Sequence, residues 1–72
     1  KVKYMTYVFN SSIFNKPLDK WDVSNVINMT AMFADSKFNQ DISNWKINDT
    51  CTAFKVFANC PIEDYYKPKN TY

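Results

Sequence analysis

The stretch MTAMFADSKFNQDISNW, residues 29–45, restates a pattern that first occurs 24 residues earlier as MTYVFNSSIFNKPLDKW, residues 5–21. Both copies begin with Met-Thr, carry Phe-Asn near the middle and end on Trp. Conservative pairs such as Val8 with Met32 fill the remaining apolar positions. The identical pairs are Met5/Met29, Thr6/Thr30, Phe9/Phe33, Ser12/Ser36, Phe14/Phe38, Asn15/Asn39 and Trp21/Trp45. So many matches at one spacing indicate an internal repeat.

A third, less regular copy follows the two clear ones. Its apolar positions keep the same register: Ala53, Val56, Phe57, Cys60 and Ile62. A repeat of this length is typical of stacked units that each bury an apolar face on their neighbours. We therefore predict a single repeat domain over 1–72, with units 5–28, 29–52 and 53–72. Because Lys69 stands where the other copies have Trp, the last unit is expected to act as a C-terminal cap.

Apolar spacing within one unit predicts a strand followed by a short helix. Trp21 and Val23 alternate as in a strand. Met29, Met32 and Phe33 have the i, i+3, i+4 spacing of a helical face. The predicted fold class is therefore an α/β repeat, a short solenoid of three 24-residue strand–turn–short-helix units similar to leucine-rich repeats. The predicted structural core consists of Phe9, Phe14, Trp21, Met29, Phe33, Phe38, Trp45 and Phe57.

Composition favours a globular domain without catalytic chemistry. The chain is 46% hydrophobic, carries a net charge of +2, and contains no His and no Gly. All nine basic residues are Lys, so no guanidinium fork is present to bind phosphate. With no His, two Cys and no paired carboxylates in a pocket, we expect no enzyme, no cofactor and no metal site.

The repeat as a whole resembles a known family. The pattern M-x-x-M-F-x-x-S-x-x-F-N-x-x-L-x-x-W-x-V-S-N-V is similar to the BspA-like surface-protein repeat, a bacterial leucine-rich repeat common in mycoplasma lipoproteins. The resemblance covers nearly the entire chain, and C-P-I-E-D-Y-Y-K-P-K resembles the segment that closes such arrays. It implies a location at the cell surface or in the secreted fraction, and a role in adhesion or host contact.

Six polar residues flank the predicted strands and form the candidate binding face. In a leucine-rich-repeat-like solenoid they would point outward from the concave strand surface. Adjacent parallel strands lie about 4.8 Å apart, so Asp22 and Lys46 are expected side by side. The alternative is a solvated ion pair of about 0 to 1 kcal/mol without a binding role. The six residues are Lys20, Asp22, Ser24, Asn44, Lys46 and Asn48.

The two Trp residues allow two interpretations. Trp21 and Trp45 in register predict a buried aromatic ladder, whereas exposed indoles would give a platform for a glycan. The leading hypothesis is a non-catalytic protein-interaction or adhesion module. The alternatives are a structural spacer without its own ligand and a glycan-binding module.

Cysteines and the C-terminal segment leave further alternatives open. Cys51 and Cys60 are interpreted as buried free thiols, as a disulfide, or as reactive or metal-bound cysteines. The segment YYKPKNTY, residues 65–72, interleaves Lys and Tyr but is interpreted as a polar cap, because the net charge is too low for nucleic-acid binding. No apolar run reaches the about 18 residues of a membrane span. A host or cell-surface protein is the expected partner, and the oligomeric state stays open.

Overall fold

A computed structural model describes residues 2–71, so Lys1 and Tyr72, the two ends of the predicted domain, lie outside the described residues. The only regular helix in this range is a 3-10 helix at Asp64–Tyr66. Two isolated parallel β-bridges join Tyr4 to Asn28 and Asn28 to Thr52. Residues 2–71 therefore contain no α-helix and no sheet. The predicted strand–turn–helix solenoid of the leucine-rich-repeat type is wrong.

The 24-residue period nevertheless governs how the chain is arranged. Both bridges link residues that are 24 positions apart. We divide the described chain into a first segment (5–28), a middle segment (29–52) and a third segment (53–71). The three segments lie side by side in parallel register. The middle segment contacts both of the others, and the Cα atoms extend over 26 × 20 × 20 Å.

A series of tight turns replaces the predicted helix. In the middle segment the N–H groups of Met32 and Ala34 donate to carbonyl oxygens three residues earlier, at 3.1 and 3.2 Å. The N–H groups that alternate with these point to a neighbour: those of Ala31 and Phe33 donate to the third segment, at 3.0 and 2.9 Å. A helix would direct every N–H to the residue four before it and leave none for a neighbour. Alternate use of the amides is therefore what ties the segments together.

Positive φ angles recur at two register positions of these turns. Three of the angles occur at one position, Tyr7, Ala31 and Lys55, and three occur four residues later, at Ser11, Asp35 and Asn59. Five of the six residues, all except Lys55, are the third of a four-residue turn closed by a hydrogen bond, the position at which a type II turn requires positive φ. Gly is the usual residue there, yet this chain has none. Because no Gly marks these positions, the turns could not be predicted from the sequence.

The backbone hydrogen bonds around Trp21 and Trp45 also show that the predicted strand is wrong. The N–H of Trp21 donates to the Leu18 carbonyl oxygen at 3.1 Å, and the N–H of Trp45 donates to that of Ile42 at 3.0 Å. These N–H groups close turns within their own segments, so they are not available for the inter-strand hydrogen bonds of a sheet. Cross-segment links in this region are isolated. The N–H of Ile42 donates to the Tyr66 carbonyl oxygen at 3.1 Å, and Asn44 Nδ2 donates to the Asp19 carbonyl oxygen at 3.2 Å.

The apolar core lies between the segments and is most complete in the middle one. Met29, Phe33, Phe38 and Trp45 are buried. The rings of Phe9, Phe33 and Phe57 stack nearly parallel, with centroids 5.3 and 5.6 Å apart. Three predicted core residues are only partly buried and pack against the cluster: Phe9, Phe14 and Phe57.

Trp21 corrects the prediction of a buried indole ladder. It is 41% exposed, whereas Trp45 is 4% exposed. The Trp45 indole lies against the first segment, and its Nε1 donates to the Leu18 carbonyl oxygen at 2.9 Å. No residue within 2–71 accepts an equivalent hydrogen bond from the Trp21 indole.

Asparagine side chains form a second link between the segments. Asn15 Oδ1 accepts the N–H of Asn39 at 2.8 Å, and Asn39 Oδ1 accepts the N–H of Glu63 at 3.0 Å. The same bond is thus made twice, 24 residues apart. The second of these bonds also places 62–70 in register with 38–46. The predicted role of the third segment as a C-terminal cap stays a prediction.

Candidate binding surface

All six predicted binding residues are exposed, on the turns between 18 and 26 and between 42 and 50. Because the described residues contain no sheet, this surface is not the concave face of parallel strands. We call it the polar turn surface, and it consists of Lys20, Asp22, Ser24, Asn44, Lys46 and Asn48.

Short hydrogen-bonded turns hold two parts of this surface. Asp22 Oδ1 accepts from the N–H and the hydroxyl of Ser24, at 3.0 and 2.6 Å. Asn48 Oδ1 accepts from the N–H and the hydroxyl of Thr50, at 2.8 and 2.7 Å. An Asp or Asn side chain that binds its own backbone two residues on is an Asx turn. The turns limit the conformations of Asp22 and Asn48 before any partner arrives.

Lys46 borders a groove of about 380 Å³ that runs between the middle and third segments. Asn70 closes one side, where its Nδ2 donates to the Ile47 carbonyl oxygen at 3.3 Å and to Asp49 Oδ1 at 3.2 Å. Lys69 also lines this groove, so two lysine residues border the same space. The expected pairing of Asp22 with Lys46 stays a prediction.

A neighbouring groove, also about 380 Å³, was not anticipated from the sequence. Asp41 lies in it, and hydrogen bonds from the hydroxyl and N–H of Ser43 lower the pKa of the Asp41 carboxyl group. The carboxylate is therefore ionised at neutral pH. The Asp-x-Ser spacing at 41–43, which repeats that of Asp22 and Ser24, is the signal that would have predicted this turn. The groove lining consists of Pro17, Asp19, Gln40, Asp41, Ser43 and Asn44.

The cysteines are separate, partly buried thiols. Cys60 Sγ donates to the Phe38 carbonyl oxygen at 3.1 Å and lies 3.6 Å from Ser36 Oγ. Burial raises the pKa of the Cys51 thiol. Of the alternatives left open by the sequence, the structure supports free thiols and not a disulfide.

Within residues 2–71, no group of three or more His, Cys, Asp or Glu side chains is arranged to hold a metal ion. The same residues include no helix with the length and hydropathy of a membrane span. The chemistry available at the polar turn surface is hydrogen bonding and ion pairing.

Fold and surface together define a small repeat protein, in which three segments with a 24-residue period consist of turns and expose polar loops. The chain belongs to the family described as "Mycoplasma protein of unknown function, DUF285", which matches residues 1–67. This match is consistent with a mycoplasma surface repeat, and the likeness to BspA-like repeats stays a resemblance. No curated protein and no solved structure shows a significant match to the chain.

Proposed function

We propose that this domain is a non-catalytic module that binds a protein partner through the polar turn surface, on the outside of the cell that carries it. The observation that carries the proposal is the exposure of all six residues of that surface. The resemblance to BspA-like surface repeats supports the location and the adhesive role.

The turns at Asp22 and Asn48 favour recognition because they reduce the entropy lost on binding. A side chain that is already held by its own backbone has fewer conformations to lose when a partner docks. Lys20 and Lys46 add positive charge beside these turns. Charges at the rim of an interface steer association and select partners with complementary potential.

Charge reversal on the polar turn surface tests the binding role. The fluorescently labelled 72-residue chain is applied to cultured epithelial monolayers, with and without prior trypsin treatment of the cells. We expect Lys20→Glu combined with Lys46→Glu to reduce binding about tenfold, the equivalent of about 1.4 kcal/mol. Trypsin treatment is expected to abolish binding of the native chain, because the proposed partner is a protein.

The matched control reverses two exposed lysines elsewhere, Lys3→Glu combined with Lys37→Glu. Both double variants change the net charge from +2 to about −2, so general electrostatic attraction is altered equally. Thermal unfolding of both variants establishes that they are folded. Equal binding by the two variants would assign the contact to another surface, and binding that survives trypsin treatment would indicate a ligand other than protein.

Location is tested on intact cells of the source organism. Antibody raised against the domain is expected to label unpermeabilised cells, and external protease is expected to remove the label. Labelling that requires permeabilisation would contradict a surface location.

A spacer is the second candidate, and the repeated backbone geometry favours it. Positive φ angles and inter-segment hydrogen bonds recur every 24 residues, so segments could be added without a change of fold. A spacer predicts no difference in cell binding between the native chain and either charge-reversed variant.

A further inference from the structure

Two grooves of opposite charge lie next to each other beside the polar turn surface. The Lys46 groove runs between the middle and third segments, and the Asp41 groove runs between the first and middle segments; each measures about 380 Å³. Ser43 borders both grooves. Both volumes fall within the about 300 to 1,000 Å³ of cavities that hold a ligand group. Each groove lies where two adjacent segments meet.

The Lys46 groove presents positive charge to a ligand. Lys46 and Lys69 are both exposed where they line it, and no Asp or Glu of residues 2–71 takes part in the lining. Asn70 Nδ2 donates to the Ile47 carbonyl oxygen and to Asp49 Oδ1, so this amide is already engaged. An ammonium group donates hydrogen bonds and never accepts them. The groove is therefore complementary to a carboxylate, which only accepts when it is ionised.

The Asp41 groove presents negative charge. Asp19 and Asp41 line it, and the described residues of the lining include no Lys. Asp41 Oδ1 accepts the N–H and the hydroxyl of Ser43 at 3.0 and 2.7 Å, which holds the carboxylate in place. The side-chain amides of Gln40 and Asn44 donate to the first segment, at distances of 3.1 and 3.2 Å. The groups left for a ligand are mainly acceptors, so the groove is complementary to an ammonium or guanidinium group.

From this pair of grooves we infer that the protein partner presents one acidic and one basic side chain, two residues apart on an extended segment. The acidic group enters the Lys46 groove and the basic group enters the Asp41 groove. The inference rests on the proposed function and names the chemistry of its partner. Side chains at i and i+2 of an extended chain point the same way and lie about 7 Å apart along it. That reach suits two grooves that share Ser43.

A polypeptide fits both grooves better than a sulfated glycan does. Sulfate groups are attracted to the Lys46 groove but repelled by the two carboxylates next to it, and like charges brought together at an interface select against a partner. A polypeptide supplies both signs of charge, from Asp or Glu and from Lys or Arg.

NMR titration of the 72-residue chain with blocked synthetic peptides tests the inference at low ionic strength. Ala-Lys-Ala-Glu-Ala has the proposed spacing, and Ala-Ala-Lys-Glu-Ala has the same composition with its charged residues adjacent. The first peptide is expected to shift the amide signals of 40–47 and 69–70, with a dissociation constant of about 1 to 10 mM, because exposed ion pairs are weak. The second is expected to bind at least about threefold more weakly, since side chains at i and i+1 point to opposite faces.

Charge-neutralising variants assign each peptide group to its groove. Lys46→Gln combined with Lys69→Gln is expected to make the chain indifferent to a change of the peptide's Glu to Gln, while a change of its Lys to Gln still weakens binding. Asp41→Asn, which keeps an oxygen for its turn, is expected to reduce the preference for the peptide's Lys. The control Lys3→Gln combined with Lys37→Gln removes the same charge elsewhere and is expected to bind like the native chain.

Three results would overturn the inference. They are unshifted signals at 40–47 and 69–70 at peptide concentrations well above the expected dissociation constant, equal affinity for the two isomeric peptides, and tighter binding of a chondroitin sulfate disaccharide than of the spaced peptide. The proposed function stands in each case if charge reversal at Lys20 and Lys46 still reduces cell binding. Peptide binding as expected, with cell binding unaffected by that reversal, would support the inferred use of the grooves and contradict the proposed function.

Discussion

At the scale of single residues, the backbone is determined by positive φ angles at residues other than Gly. Tyr7, Ala31 and Lys55 occupy one such position in successive segments. The left-handed region costs an L-residue roughly 1 to 2 kcal/mol relative to Gly. This cost is offset by the hydrogen bonds that each turn makes within and between segments. No residue type in the sequence signals these turns, because Tyr, Ala and Lys are all uncommon at positive φ.

Lys55 provides a direct test of this conformation, because its side chain is exposed and little packing is lost on substitution. Lys55→Gly is expected to leave the free energy of unfolding unchanged or raise it by up to about 1 kcal/mol. Lys55→Val should lower it by about 1 to 2 kcal/mol, since a β-branched residue strongly disfavours positive φ. Urea denaturation measures both variants.

Lys46→Val is the control, at an exposed position where φ is not positive. It is expected to change the free energy of unfolding by less than about 0.5 kcal/mol. If Gly and Val at position 55 have the same stability, the left-handed conformation of Lys55 is contradicted.

At the scale of elements, the sequence predicted which side chains face inward but not the backbone that carries them. Met29, Met32 and Phe33 are all buried, as the helical spacing indicated. A series of tight turns brings the same positions to one face, so periodicity could not separate turns from helix. The six residues of the polar turn surface were predicted as exposed, whereas the Asp41 groove was missed because it depends on how two segments meet.

The packing of the segments is tested by making the same Trp→Ala substitution at position 45 and, in a second variant, at position 21. Trp45→Ala is expected to lower the free energy of unfolding by about 3 to 5 kcal/mol, because it leaves a cavity and removes one of the two hydrogen bonds that the Leu18 carbonyl oxygen accepts. Trp21→Ala should cost less than half as much, because much of its indole already contacts water. Calorimetric unfolding measures both.

Fluorescence gives an independent check on the same pair. Trp21→Phe leaves Trp45 as the only indole, and its emission should be blue-shifted and resistant to iodide. Trp45→Phe leaves Trp21, which iodide should quench readily. Equal costs of the two Ala variants, together with equal quenching, would contradict the placement of the middle segment between the other two.

At the scale of the whole molecule, three copies of one pattern form a stack whose centre differs from its ends. The sequence predicted the period and the number of copies. It could not predict that Trp21 and Trp45 would differ, because identical residues acquire different surroundings only when the segments are assembled. Stability in such an arrangement comes mainly from contacts between neighbours, so the middle segment is the most strongly held.

Amide hydrogen exchange at low concentration, about 50 μM chain, tests the stack most directly. The N–H groups of Ala31 and Phe33 should be protected by their bonds to the third segment, whereas the equivalent groups of Lys55 and Phe57 should exchange quickly. Slow exchange at 31 and 33 with fast exchange at 55 and 57 is the predicted result. Equally fast exchange at all four amides would contradict the stacked arrangement of the three segments.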